Sequence, residues 1–193
     1  MKQPDVHRAE KSTSTSDADC SRRWLFGSKY HLAASDQQFR AVIRRHRADA
    51  DLEPIADDTL DAIAGVNDIP DLFLAAQRDY PTDPPFPKYH RLLVELKRPS
   101  VSVGAKEVAQ AKRYAKTVLK SAEFDQSSTH WDVFVVSSDV TGDIQEDRNQ
   151  KGLPRGCVFD YNNVTVFVHS WGEVIDRARD EMRLVQGRRR PND

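Results

Sequence analysis

The segment Arg91-Leu-Leu-Val-Glu-Leu-Lys97 places a carboxylate and an ammonium group close together on one face of a predicted β-strand. Side chains of a strand point alternately to its two faces, so Glu95 and Lys97 lie together with Leu93, opposite a wholly apolar face. Because an unpaired charge among apolar side chains is costly, this arrangement needs a cause. It indicates either a salt bridge on a solvated face or a polar site that uses a carboxylate and an ammonium group.

A second carboxylate stands ahead of this strand. Asp71 follows Pro70 at the head of the preceding predicted strand, 24 residues before Glu95. A hairpin of this length can bring the two carboxylates side by side. Such a pair suits a hard divalent cation such as Mg²⁺, which binds few carboxylates and keeps several waters for a phosphate. The pair therefore predicts metal-dependent chemistry on a phosphate group.

A helix is predicted over residues 105–120, with its apolar and polar residues on separate faces. At about 100° per residue, the apolar face consists of Val108, Ala111, Ala115, Val118 and Leu119. Gln110 and Tyr114 lie together at the rim of that face, nearest the preceding strand. They could be ordinary boundary residues, or they could serve a site at the end of the strand.

Positive charge is concentrated in this part of the chain. Eight basic and two acidic residues lie between Arg91 and Lys120, although the whole chain has a net charge of −1. A local basic stretch in a weakly acidic protein predicts a surface for an anionic polymer, but a lysine-rich solvated helix face has the same composition. The candidate nucleic-acid-binding residues are the five cations of the helix: Lys106, Lys112, Arg113, Lys116 and Lys120.

Taken in order, Pro70-Asp71, Glu95-Leu-Lys97 and Gln110-x-x-x-Tyr114 resemble the motif set of the PD-(D/E)XK, restriction-endonuclease-like nuclease superfamily. The segment Val94-Glu-Leu-Lys-Arg-Pro99, followed by Gln110, is similar to Mrr-like nucleases and to Shedu-type domains of bacterial defence proteins. The resemblance covers roughly residues 60–140 and, more loosely, the elements up to residue 187. It implies an α/β fold in which helices flank a small mixed β-sheet.

The resemblance also implies a metal site. Asp71, Glu95 and the backbone carbonyl of Leu96 would hold Mg²⁺, with Mn²⁺ as an alternative. Some members of the superfamily add an acidic residue from the first helix, and the candidates here are Asp57, Asp58 and Asp61. The chain departs from the superfamily in one respect. A strand hairpin usually precedes the Pro-Asp strand, and residues 65–69 leave little room for one.

By the same resemblance, Lys97 would orient or activate the attacking water, Gln110 would position the phosphate or that water, and Tyr114 would be a supporting residue. The implied activity is phosphodiester hydrolysis that leaves a 5′-phosphate and a 3′-hydroxyl. We expect a Mg²⁺-dependent DNA endonuclease acting as the effector of a defence system. The alternatives are a ribonuclease or structure-specific resolvase, and an inactive module of the same fold that binds nucleic acid or assembles a complex.

The remaining sequence suggests one domain with two tails. Residues 1–34 include a polar Ser/Thr run and read as a flexible tail or linker, residues 35–187 as the nuclease-like domain, and residues 188–193 as a basic tail. Within the domain we predict the order helix, strands, helix, strand, strand, helix, with the first helix starting at Ser35. A polar loop is expected over residues 141–156, and the last helix is expected to begin with a capping box at Ser170.

Other classes of protein are poorly supported. The two cysteines form no C-x-x-C pair, and no apolar run reaches the length of a membrane span. There is also no GxxxxGK[ST] loop and no GxSxG elbow. We therefore expect a cytoplasmic protein that does not contact membranes. Its protein partners would be a second copy of the chain, or a fused or associated sensor or ATPase component.

Overall fold

A computed structural model describes residues 23–77, 87–124 and 126–187 of the chain. Its centre is a mixed six-stranded sheet with the spatial order β1-β2-β3-β5-β8-β7. The strands are β1 (His31–Ser35), β2 (Leu72–Gln77), β3 (Tyr89–Leu96), β5 (Thr129–Ser137), β7 (Cys157–Tyr161) and β8 (Val164–Ser170). Strands β3, β5 and β8 run parallel, whereas the pairs β1–β2, β2–β3 and β7–β8 are antiparallel. Two short strands, β4 (Ser102–Val103) and β6 (Asp139–Val140), form a separate parallel pair.

Helices flank the sheet, so the predicted α/β class with a mixed sheet is confirmed. The α-helices are α1 (Phe39–Asp49), α2 (Asp57–Asp61), α3 (Ala105–Lys120), α4 (Gly142–Asp147) and α5 (Trp171–Gly187), and a 3-10 helix covers Arg23–Phe26. Among the described residues, no helix combines the length and the hydropathy that are needed to cross a bilayer.

Both faces of the sheet are covered, as expected where parallel strands lie at its centre. Odd-numbered residues of β3 and β5, such as Leu93 and Trp131, pack with the residues of α1 and α3 in one core cluster. Even-numbered residues, such as Leu92 and Phe134, pack with the 3-10 helix and α5 in a second cluster. The face that carries Glu95 therefore lies under α3.

Helix α3 has the bounds that the sequence predicts, and it connects the parallel strands β3 and β5. Its first turn is capped by Glu107, whose carboxylate accepts the N–H of Gly104 at 3.0 Å. The predicted apolar face is buried against the sheet, except that Leu119 is only partly buried. Tyr114, predicted at the rim, is only 1% exposed and stacks on Phe39 of α1. The deeper position places its hydroxyl next to β3.

The prediction that residues 1–34 form a flexible tail or linker is wrong for residues 23–34. This segment contains the 3-10 helix and most of β1, which pairs with β2 as the edge strand of the sheet. Phe26 and Tyr30 are buried in the second core cluster, which explains why the segment is ordered against the sheet. Ser35 accordingly ends a strand, and α1 begins four residues later. Residues 1–22, the basic tail 188–193 and most of the proline-rich turn 81–87 lie outside the described residues.

In the C-terminal part of the domain, the predicted loop contains a helix and the predicted capping box is present. The polar loop predicted over 141–156 includes the short helix α4, whose Ile144 is buried. The capping box at the start of α5 is present. Ser170 Oγ accepts the N–H of Glu173 at 3.2 Å, and the Glu173 carboxylate accepts the N–H of Ser170 at 2.9 Å.

A glycine turn fixes the segment that leads into Asp71 against α3. Gly65 has φ +82°, and a Cβ built on it would lie 2.9 Å from Thr117 Oγ1 of α3. That hydroxyl donates a hydrogen bond to the carbonyl of Ala64 at 2.8 Å. The turn therefore requires both a left-handed backbone and a missing side chain, because only glycine allows the close approach to α3.

We expect Gly65→Ala to lower the free energy of unfolding by about 2–4 kcal/mol, since strain in φ adds to a steric clash. Gly152→Ala is the matched control, because Gly152 has φ +88° but a Cβ added to it would meet nothing within 4 Å. The control should show the backbone strain alone, about 1–2 kcal/mol. Chemical denaturation of both variants measures the difference. Equal losses would show that the approach to Thr117 has no energetic consequence.

Candidate active site

Asp71 and Glu95 are brought together by the pairing of β2 with β3. Leu72 lies opposite Val94, and continuing this register by one residue sets Asp71 opposite Glu95. The Asp71 carboxylate bends across the end of the pairing, where Oδ2 accepts the backbone N–H of Leu96 at 2.5 Å. The sequence-based expectation that a hairpin places these two carboxylates side by side agrees with this arrangement.

Glu95 is only 7% exposed, and each of its two carboxylate oxygens has a partner. Oε1 accepts a hydrogen bond from Lys97 Nζ at 2.7 Å, and Oε2 accepts one from the Tyr114 hydroxyl at 3.1 Å. A buried carboxylate is tolerated when it is paired with a cation and hydrogen-bonded, and Glu95 meets both conditions.

Gln110 closes these contacts into a ring. Its amide oxygen accepts from Lys97 Nζ at 3.0 Å, and its amide nitrogen donates to the Tyr114 hydroxyl at 3.0 Å. Glu95, Lys97, Gln110 and Tyr114 therefore form a closed cycle of hydrogen bonds, which we call the polar ring. The directions are consistent, because the tyrosine hydroxyl accepts from the glutamine amide and donates to the glutamate. Gln110 and Tyr114 thus both contact the residues at the end of β3.

The polar ring also contacts the segment before Asp71. The carbonyl of Ile69 lies 3.3 Å from the Tyr114 hydroxyl, so the ring is close to the segment that leads into Asp71. Burial raises the pKa of the Tyr114 hydroxyl, and the nearby charge of Glu95 raises it further. Tyr114 therefore stays protonated and acts as a donor to Glu95.

Asp71 is less well compensated than Glu95. Burial raises its pKa above the ordinary aspartate value, and the negative charges of Glu95 and Asp36 raise it further. The hydrogen bond from Leu96 and the charge of Lys97 act in the opposite direction but do not offset the increase. The local environment thus disfavours negative charge on Asp71 and would favour the arrival of a cation.

Asp36 is a neighbour of the site that sequence reasoning missed. It directly follows β1, and its N–H donates to the carbonyl of Asp71 at 3.0 Å. Since Ser35 pairs with Leu72, Asp36 continues the row that Asp71 and Glu95 form across the strands. A signal exists in the sequence, since Asp36 follows a short apolar run, but that run falls in the segment predicted as a tail.

The three acidic residues predicted from the first helical region are engaged elsewhere. Asp57 pairs with Arg44, and Asp61 pairs with Arg40 at 2.6 Å. Asp58 accepts the N–H of Thr59 at 2.8 Å within its own helix. Their contacts tie α2 to α1 or cap α2, so these residues stabilise the helices rather than extend the row of carboxylates.

The donor set fits a hard cation, although it is small. Asp71 and Glu95 supply carboxylate oxygens, which Mg²⁺ and Mn²⁺ prefer. In a strand, the C=O of a residue points to the same side as its N–H, so the Leu96 carbonyl faces the Asp71 side of β3. Within residues 23–77, 87–124 and 126–187, no group of three or more His, Cys, Asp or Glu side chains could hold a metal ion. A bound cation would therefore take its other ligands from water or substrate.

The predicted nucleic-acid-binding cations are spread around α3. Lys106 is exposed in the first turn, and Lys112 is partly exposed. Arg113, Lys116 and Lys120 line a cleft between α3 and the residues that precede Asp71. Arg113 also lies 3.7 Å from Asp68. The structure thus brings three of the five cations to one concave surface and leaves two outside it.

Comparisons with protein-family models, with curated proteins and with solved structures give no match. The assignment of a function therefore depends on the site residues and their geometry.

The raised pKa of Asp71 leads to a prediction about stability. The folded state disfavours negative charge on Asp71 more than the unfolded state does. In EDTA, Asp71→Asn should therefore melt at a higher temperature than the parent at pH 7. Because the folded-state pKa is the higher one, this advantage should shrink as the pH falls through it and vanish below the ordinary aspartate value.

Melting curves from pH 3.5 to pH 7.5 test this prediction about Asp71, with Glu53→Gln as the control. Glu53 is an exposed carboxylate, so its replacement should change the melting temperature little at any of these pH values. An Asp71→Asn protein that melts below the parent at pH 7 would contradict the electrostatic account of the site.

Proposed function

We propose that the chain is a metal-dependent nuclease of the PD-(D/E)XK, restriction-endonuclease-like kind. The observation that supports it is the closed polar ring, which joins the motif residues at the end of β3 to those of α3. Asp71, which directly precedes β2, lies beside the ring and accepts the backbone N–H of Leu96. The arrangement of the elements agrees with this proposal. The antiparallel pair β2–β3 leads through α3 to the parallel strand β5, and the motif residues lie where β2 begins and β3 ends.

In this proposal Asp71, Glu95 and the carbonyl of Leu96 hold Mg²⁺ or Mn²⁺. When bound, such an ion polarises a phosphate oxygen and lowers the pKa of a coordinated water. The protein contributes the orientation of these oxygens. Glu95 is fixed by Tyr114 and Lys97, and Asp71 is fixed by the N–H of Leu96.

Lys97 is the residue that places positive charge at the site. Its ammonium group is partly buried and held between the Glu95 carboxylate and the Gln110 amide. From this position it can offset the negative charge that develops on a phosphate during hydrolysis, or orient the attacking water. Gln110 acts on Lys97 directly, because its amide orientation is fixed by Tyr114 and leaves its oxygen facing the ammonium group.

The substrate that fits best is nucleic acid, and we propose DNA. A row of cations on α3 extends from the ring, and such a row neutralises backbone phosphates. Attack by water on the phosphodiester would leave a 5′-phosphate and a 3′-hydroxyl. The resemblance to defence nucleases adds the proposal that the chain acts in the cytoplasm as an effector, as a homo-oligomer or with a sensor or ATPase component.

One observation favours the alternative of an inactive module that binds nucleic acid or assembles a complex. Both oxygens of Glu95 already have donors within the chain, and Asp71 has the N–H of Leu96. The ring is thus a satisfied polar network that can stabilise the fold without an ion. The two functions differ in whether DNA is cut when Mg²⁺ is added.

We predict that the protein cleaves DNA in Mg²⁺ and that EDTA abolishes cleavage. Supercoiled plasmid, linear duplex, single-stranded DNA and RNA should be tested in parallel. Asp71→Ala should remove activity while leaving the fold intact. Lys97→Ala should lower the rate by about 10²–10³-fold with little change in DNA affinity, because its charge matters most in the transition state.

The control for the Lys97 experiment is Lys151→Ala, because Lys151 is an exposed lysine in the turn after α4. It should leave both the rate and the affinity unchanged. Cleavage at the full rate in EDTA would contradict the metal-dependent mechanism. Binding without cleavage of any substrate in Mg²⁺ or Mn²⁺ would favour the inactive module.

A further prediction concerns Gln110, whose amide group contacts Lys97 and the Tyr114 hydroxyl. Gln110→Ala should lower the cleavage rate by about tenfold to a hundredfold, because Lys97 loses the group that orients it. Its melting temperature should change by less than that of Tyr114→Phe, which leaves Oε2 of the buried Glu95 carboxylate without its donor. Gln150→Ala serves as an exposed control. A fully active, normally folded Gln110→Ala protein would remove Gln110 from the mechanism.

A further inference from the structure

The cleft beside α3 is separate from the polar ring. It has a volume of about 440 Å³ and lies between the second half of α3 and the turn that carries Ala62, Ile63, Ala64 and Gly65. This volume falls in the range of roughly 300–1,000 Å³ that is typical of small-molecule sites. A concave surface of this size can take one small unit of a ligand.

The charges of the cleft favour an anion. Arg113, Lys116 and Lys120 line one wall, and Asp68 is the acidic residue among the lining side chains. Asp68 lies 3.7 Å from Arg113 and compensates that cation in part. Lys116 and Lys120 are exposed, and neither forms an ion pair with any described residue. Two lysine charges thus remain for a ligand.

The opposite wall is apolar. Ala62, Ile63 and Ala64 present only hydrocarbon side chains to the cleft, while Thr117 uses its hydroxyl to bond the carbonyl of Ala64. Proteins that bind a displaced or single-stranded base combine cations for the phosphate with an apolar or aromatic surface for the base. The cleft offers both in one place, with an aliphatic surface in place of an aromatic one.

The cleft also lies close enough to the polar ring for one nucleic-acid strand to reach both. At 1.5 Å per residue, Lys116 is about 9 Å along the helix axis from Gln110. Arg113 stands between the two, and it too lines the cleft. One strand of nucleic acid could therefore pass from the polar ring into the cleft without leaving the surface of α3.

We propose that this cleft is a nucleotide subsite, in which the lysines bind a phosphate and the Ala62–Ala64 wall receives an unpaired base. The proposal rests on the proposed nuclease function and names its substrate class, which is DNA with a single-stranded nucleotide next to the cut. A free nucleotide presents the same chemistry to the cleft as a nucleotide within a strand.

The test measures binding by calorimetry in EDTA, where no cleavage occurs. The probes are dAMP, adenosine and inorganic phosphate, followed by a single-stranded oligonucleotide and its duplex. The cleft variants are Lys116→Gln/Lys120→Gln, which removes charge, and Ala62→Trp, which fills the cleft without changing charge. Ala64→Leu is a second filling variant, for use if Ala62→Trp does not fold. The matched control is Lys88→Gln/Lys151→Gln, two exposed lysines that do not line the cleft.

We expect dAMP to bind more tightly than adenosine or phosphate. The double lysine variant should weaken dAMP binding by about tenfold or more, since each lysine forms a charge-assisted hydrogen bond. The filling variant should weaken it similarly and should also abolish the preference for the single strand over the duplex. The control should bind as the parent does.

Equal weakening in the control and the cleft variants, or normal dAMP binding by a folded filling variant, would overturn the subsite. The two proposals fail in different ways. If dAMP binds as expected but no substrate is cut in Mg²⁺, the nuclease function fails and the nucleotide site remains. If DNA is cut but the filling variants bind and cut single strands as the parent does, the subsite fails and the nuclease function remains.

Discussion

The burial of Glu95 is the constraint on which the rest of the site depends. A carboxylate that is only 7% exposed would destabilise the fold unless donors surround it. Lys97 supplies a cation from the same strand, and Tyr114 supplies a hydroxyl from α3. The ion pair alone would leave one oxygen unsatisfied. Helix α3 must therefore lie with one edge over the end of β3, and Gln110 follows because it links the two donors to each other.

The two candidate ligand carboxylates have different environments. Glu95 has a cation and a hydroxyl, whereas Asp71 has one backbone N–H and two negative neighbours, Glu95 and Asp36. Glu95 is therefore the well-compensated carboxylate of the pair, and Asp71 is the poorly compensated one. The hydrogen bonds of Glu95 fix the position of its carboxylate, whereas the surroundings of Asp71 disfavour its negative charge. The pKa of Asp71 remains raised despite the charge of Lys97, so additional positive charge at this position would be stabilising.

The local parts of the fold could be predicted from the sequence. Helix α3 has the predicted bounds because its apolar period is regular and glycine precedes it. The Glu95 and Lys97 face followed from strand alternation. The burial of Tyr114 did not follow, because a helical projection gives an angle but not the depth at which the strand approaches. That depth depends on Phe39, which stacks on the tyrosine ring from α1.

Within the six-stranded sheet, two strands were missed for different reasons. Strand β1 is five residues long and follows a polar run, and its stability comes from pairing with β2, about forty residues later in the chain. The short apolar run of β1 does not by itself indicate this pairing, so Asp36 was missed with the strand. Strand β7 could have been found. It is joined to β8 by Asn162-Asn163, a two-residue turn with Asn162 in the left-handed region, between two apolar runs.

Helix α3 has three faces with different roles, and the angular period of the helix separates them. Val108 and Ala111 face the sheet, Gln110 and Tyr114 form the edge over β3, and the cations occupy the remaining arc. Each residue of a helix is rotated by about 100° about the helix axis relative to the one before it. One residue inserted before Gln110 would therefore turn Gln110 and Tyr114 away from Glu95, and it would also turn the apolar face away from the sheet. The packing of the helix and the geometry of the polar ring are therefore set by the same spacing. The turn at Gly65 is also bound to α3 through Thr117, so the segment that precedes Asp71 is fixed relative to the same helix.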